Sequence, residues 1–98
     1  MATAQQIIAD IEAHIRNSRH AYREWYAGIT ADIEQRLFGA HRVPRENHWR
    51  IHREADSANI ARDVEAYFLQ RGCQGGGGGG DNTSRYVYAY VVTSQTRE

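Results

Sequence analysis

The sequence predicts an α+β fold, a small three-stranded antiparallel sheet flanked by helices. Two observations carry most of that expectation. Apolar residues recur at helical spacing along Ile7–Ile15 and Ile60–Phe68, and strict alternation runs through Tyr86–Val91. A third is length: 98 residues suit a single domain, 1–98, with one core.

The elements follow in chain order. Thr3 and Gln6 fit a capping box, and Ile7, Ile8, Ile11 and Ile15 form the apolar stripe of a helix placed within residues 1–20. The pattern fades after Arg16, so 17–23 reads as a loop. Glu24–Ile29 reads as a strand with Trp25, Ala27 and Ile29 on one face and Tyr26 and Gly28 on the other. Thr30 is the expected cap of a second helix, with Asp32 and Glu34 in its first turn, where the helix dipole favours acids. Ile33, Leu37 and Ala40 share one side of it, and Arg36 lies on that same side. Val43-Pro44 ends the helix. His48–Glu54 alternates loosely as a short strand. Ser57 caps a third helix with the stripe Ile60, Ala61, Val64 and Phe68, and Gly72 stops it. A glycine-rich loop, 73–84, leads to the last strand, whose Tyr86, Tyr88 and Tyr90 oppose Val87, Ala89 and Val91.

Composition excludes several classes. No apolar run approaches the roughly 20 residues of a membrane span, and the first residues do not resemble a signal peptide. One cysteine, Cys73, precludes an internal disulfide framework and suits a reducing cytoplasm. Twelve basic and twelve acidic residues cancel, which excludes a bulk polycation. Every basic residue is arginine, the planar fork suited to phosphate or carboxylate. The run Gly75–Gly80 is either slack or backbone that must approach something closely. It is not a phosphate loop, because it follows a helix and lacks the Gly-Lys-Ser/Thr ending. His41, His48, His52 and Cys73 match no standard zinc spacing, and Cys73 has no histidine close to it in sequence.

Residues that break their own pattern are the candidates for function. Glu65 interrupts the apolar stripe between Val64 and Phe68, where a bare carboxylate costs several kcal/mol. Arg36 lies beside Ile33 and Leu37. The two either pair with each other or supply a carboxylate and a cation to a site on a tyrosine-rich sheet face made by Tyr26, Tyr86, Tyr88 and Tyr90. Between Arg36 and Arg53, five arginines face one acid. Arg42, Arg45, Arg50 and Arg53 with Trp49 suit a phosphate backbone and stacked bases.

Tyr26-Ala-Gly28 followed by Asp32-Ile-Glu-Gln-Arg36-Leu37 resembles the second half of the GIY-YIG nuclease core, with the family's spacing from glycine to arginine. Ala61–Phe68, with Glu65 inside, is similar to the helix that carries the family's metal-binding glutamate, and Trp49–Arg53 falls where the family has its third strand. The Gly-Ile-Tyr strand, first in the family, resembles Arg85–Tyr90 at the other end of this chain, with Tyr86 in place of the glycine. The resemblance covers about residues 24–92 and implies a circularly permuted core, with the glycine run as the new joint. It further implies a metal-dependent endonuclease that hydrolyses phosphodiester bonds in DNA rather than RNA, using Mg or Mn. Glu65 would hold the metal, Arg36 the scissile phosphate, and Tyr26 or Tyr88 the attacking water. His41 follows Arg36 by five residues where several members have four, so its place in the catalytic set departs from the family. The alternative is a non-catalytic nucleic-acid or protein-binding module on the same fold.

Overall fold

Tyr86–Val91 carries apolar or aromatic side chains on both faces, which suits a strand paired along both edges. In the computed structural model, which describes residues 3–40, 49–75, 84–92 and 96, it is the central strand. The chain is α+β. Helix α1 (Ala4–Ser18) leads through a 3₁₀ turn to β1 (Trp25–Thr30), then come a π-helix (Glu34–Ala40), β2 (Arg50–Glu54), helix α2 (Ala58–Gln70) and β3 (Tyr86–Val91). The sheet order is β1-β3-β2, antiparallel throughout. Tyr26 lies opposite Tyr90, Gly28 opposite Tyr88, and His52 opposite Tyr88 from the other side.

The predicted caps hold at both α-helices. Thr3 and Gln6 exchange hydrogen bonds as a capping box, and Ser57 Oγ accepts from the Ile60 N–H. Helix α1 runs two residues past the expected loop start, because Ser18 turns inward and its hydroxyl donates to the Ile15 carbonyl at 2.7 Å. Helix α2 ends as foreseen at Gly72, with φ +112°. Cys73 N–H bonds to Phe68 O and Gly72 N–H to Leu69 O, the paired closure that satisfies the last carbonyls.

The middle helix differs from expectation. It is a π-helix, and its cap is Asp32, whose Oδ1 accepts from the Gln35 N–H at 3.2 Å. Thr30 instead forms a local turn, its hydroxyl accepting from the Asp32 N–H at 3.1 Å. The wider helical period removes the α-helical spacing from which a shared side for Arg36, Ile33, Leu37 and Ala40 was read. The side chains of Leu37 and Ala40, the break at Val43-Pro44, His48 and Gly76–Gly80 lie outside the described residues.

Instead of one core, the sheet separates two apolar clusters. On one face Trp25, Ala27, Ile29, Val87 and Ala89 meet Ile7 and Ile11 of α1 and Val64 and Phe68 of α2, all buried. Full burial of each large side chain contributes roughly 1.5–3 kcal/mol. A polar clamp ties the two helices. The Tyr67 hydroxyl donates to Glu12 Oε2 at 2.6 Å and accepts from Arg71 Nη2 at 2.8 Å. On the other face Tyr26, Tyr88 and Tyr90 pack against Phe38 of the π-helix and Ile33 just before it.

The open edge of β1 is covered by the chain leaving α2. Gln74 N–H bonds to Trp25 O at 2.7 Å, and Ala27 N–H to Gln74 O at 2.9 Å. Among the described residues, no helix is long and apolar enough to cross a membrane.

Candidate functional site

The register of β1 and β3 places a residue without a side chain opposite a large aromatic. Tyr88 leans across β1 into the space above Gly28. A methyl added to Gly28 would fall 2.5 Å from the Tyr88 Oη and 2.6 Å from Cζ. The glycine of the Tyr-Ala-Gly run is therefore there for close approach. Tyr26 and Tyr90 continue the layer, with ring centroids 5.3 Å apart and planes 20° from parallel.

Tyr88 is the point where the sequence candidates converge. The Arg36 guanidinium donates a hydrogen bond to its phenol, and that bond is the largest cause raising the pKa of Arg36. Burial pushes the Tyr88 phenol up to about 12, against the opposing pull of Arg36, while the charges of Tyr26 and Glu65 push it higher. Arg36 is thus not a buried residue. It sits exposed on the π-helix and reaches its head group down to the tyrosine layer.

Glu65 occupies the expected position on the buried side of α2 and is only 8% exposed. The anticipated alternative, an ion pair with Arg36, does not form, because the arginine is engaged at Tyr88. Among the described residues no hydrogen bond or ion pair satisfies the Glu65 carboxylate. Burial raises its pKa, and the Arg62 charge only partly offsets that rise. A carboxylate on a buried residue, without a donor among the described residues but with oxygens that still reach solvent, fits a hard cation, which takes oxygen ligands and retains waters. Among the described residues, no group of three or more His, Cys, Asp or Glu gathers for a metal. The carboxylate would therefore share a cation with water and substrate oxygens.

Two clefts open on this side. One, of about 320 Å³, is lined by Thr30, Asp32, Gln35 and Arg36. The other, of about 340 Å³, shares Asp32 and adds Phe38, His52 and Tyr86.

The basic stretch divides between faces. Arg50 and His52 share the face of the tyrosines, and the Arg50 guanidinium lies 4.8 Å from the Phe38 ring centroid. Arg53 points the other way and pairs with Asp10 of α1 at 3.1 Å. Trp49, 40% exposed, packs edge-on against His14 of α1, with centroids 5.1 Å apart. Trp49 and Arg53 are therefore not brought to the face of Arg36, because adjacent strand residues point to opposite sides. His41, Arg42 and Arg45 lie outside the described residues. Sequence reading passed over Phe38 and the close-approach role of Gly28, and weighed His52 only as a zinc ligand and as part of the basic stretch. The alternation of Arg50, His52 and Glu54 was a usable signal for His52. Gly28 needed the register.

No family model, curated protein or solved structure matches the chain.

Proposed function

We propose that this chain is a metal-dependent nuclease of the GIY-YIG type, in circularly permuted form, acting on DNA. The observation that best supports the reading is at Tyr88, whose phenol takes a hydrogen bond from Arg36 of the π-helix and feels the charge of Glu65 from the buried side of α2. The antiparallel pairing of β1 with β3 also supports it, since the permuted core requires its two tyrosine strands to be neighbours.

In this reading Arg36 binds the scissile phosphate through its planar fork and stabilises charge that develops there. Glu65 would hold Mg or Mn. The chemistry such an ion supplies when bound is neutralisation of phosphate charge and orientation of the attacking water. Tyr88, with its pKa pushed up to about 12, keeps its proton at neutral pH, so it donates a hydrogen bond and positions rather than abstracts. Tyr26, stacked on Tyr90 beside it, completes the wall.

Purified protein incubated with single- and double-stranded DNA in Mg or Mn tests this directly. Wild type should cut, and Arg36→Ala and Glu65→Ala should each lose at least about 10²-fold in rate, as removal of a transition-state contact does. Wild-type activity no greater than that of both variants sinks the enzyme reading. Tyr86, standing where the family has glycine, favours the alternative of a non-catalytic binding module. That alternative gains if DNA binding is salt-sensitive, survives Glu65→Ala and occurs without cleavage.

A further inference from the structure

The two clefts that share Asp32 differ in chemistry. The first is lined by Arg36. Among the described residues, no arginine lines the second. Its walls are the rings of Phe38, Tyr86 and His52, and its rim carries the carboxylates of Asp32 and Glu34. Arg36 draws phosphate to the first, whereas the second offers ring faces and carboxylate oxygens, with the Arg50 guanidinium 4.8 Å from the centroid of its Phe38 ring. A flat, uncharged group with hydrogen-bond donors fits the second, and its volume of about 340 Å³ leaves room for one.

From this we infer that the second cleft is a nucleobase subsite, taking the base beside the phosphate held at Arg36 and preferring bases that carry an exocyclic amino group. The inference rests on the nuclease reading for the location of that phosphate. Stacking on aromatic side chains holds any base. Discrimination comes from Asp32. Its Oδ1 is occupied by the Gln35 N–H, which leaves Oδ2 to accept from an amino group. Guanine, adenine and cytosine present such a donor, whereas thymine flanks its one N–H with two carbonyl oxygens that a carboxylate repels. Asp32 lines both clefts, and Arg36 follows it by one turn, its N–H bonded to the Asp32 carbonyl at 3.0 Å. That spacing suits adjacent parts of one nucleotide strand. Burial, with Arg50 and Arg53, lowers the pKa of His52, so the ring meeting the base at neutral pH is uncharged.

The test is fluorescence anisotropy of labelled single-stranded octamers without added metal, comparing oligothymidylate with the same octamer carrying one central guanine, adenine or cytosine. The substituted octamers should bind on the order of tenfold more tightly. Asp32→Asn keeps a good cap and should remove that preference. Tyr86→Leu should weaken all four octamers by similar factors and leave the preference in place. Equal affinity for all octamers overturns the inference, as does a preference unchanged in an Asp32→Asn protein that melts like wild type. Cleavage of DNA without base preference keeps the nuclease reading and rejects the subsite. Base preference without cleavage does the reverse, and failure to bind any octamer rejects the subsite.

Discussion

Glu65 defines the residue scale because it carries a charge on a buried stripe with no donor beside it among the described residues. The residue is 8% exposed, and its pKa is raised first by desolvation. A raised acid pKa means that folding favours the protonated form. Stability from this group is therefore greatest below the carboxylate's unfolded pKa. It declines as pH climbs through the raised folded value, and is flat above it. Glu65→Gln keeps the shape and removes the charge. Without added metal at pH 7–8 it should leave the melting temperature unchanged or raise it, with about 1 kcal/mol corresponding to 4–8 °C for a chain of this size. The variant should also lose the decline with pH, which thermal melts across the acid range would reveal. A fall of many degrees would indicate a hidden structural ion pair instead. The anomaly at Glu65 was legible in the sequence, since a carboxylate on an apolar stripe needs only the helical period to be noticed. Its relation to Arg36 was not legible. The arginine's destination at Tyr88 depends on a π-helix and on a strand register that bring together residues 52 positions apart in sequence.

At the scale of elements, the regular helices were readable because caps and periodicity agreed, as at Thr3, Ser57 and Gly72. The π-helix was not, because a 3.6-residue template has no way to register an i→i+5 ladder. The start of the glycine run shows how a residue type can be noticed while its role depends on the fold. Gln74 bridges to the edge of β1, and Gly75 follows it against the same strand. A methyl on Gly75 would lie 2.5 Å from Leu69 Cδ2 and 2.9 Å from the Ala27 carbonyl oxygen, and the latter is backbone that cannot swing aside. At this position the glycine is close approach rather than slack. Gly75→Ala should cost roughly 1–3 kcal/mol, the range for forced overpacking. The signature is local. Hydrogen exchange at the Ala27 and Gln74 amides, which close this bridge, should accelerate more than exchange in the pairs between β1 and β3. Uniform acceleration across the sheet would mean that the edge strap is not a separable unit.

Across the whole molecule, the sheet sorts the arginines that composition only counts. Zero net charge excludes a general polycation, so any hold on DNA must come from one locally basic face. The longest extent of the molecule is 31 Å, shorter than the roughly 34–36 Å turn of duplex DNA, so one copy reaches few phosphates and each arginine should be visible in the salt dependence. Arg36 and Arg50 stand on the tyrosine face. Arg53 is on the opposite face, held by Asp10 in an exposed ion pair of the kind that contributes roughly 0–1 kcal/mol. Affinity for a short duplex, measured from 50 to 200 mM salt, therefore separates the two groups. Arg36→Ala and Arg50→Ala should each reduce the slope of log K against log salt by about 0.9 and weaken binding to every sequence alike. Arg53→Ala should leave the slope unchanged and lower the melting temperature by a few degrees at most. If Arg53 proves as salt-sensitive as Arg36, DNA must wrap past the sheet edge onto the helical face, and the tyrosine layer ceases to be the sole contact surface. If neither tyrosine-face arginine changes the slope, the convergence at Tyr88 serves a ligand other than a phosphate backbone.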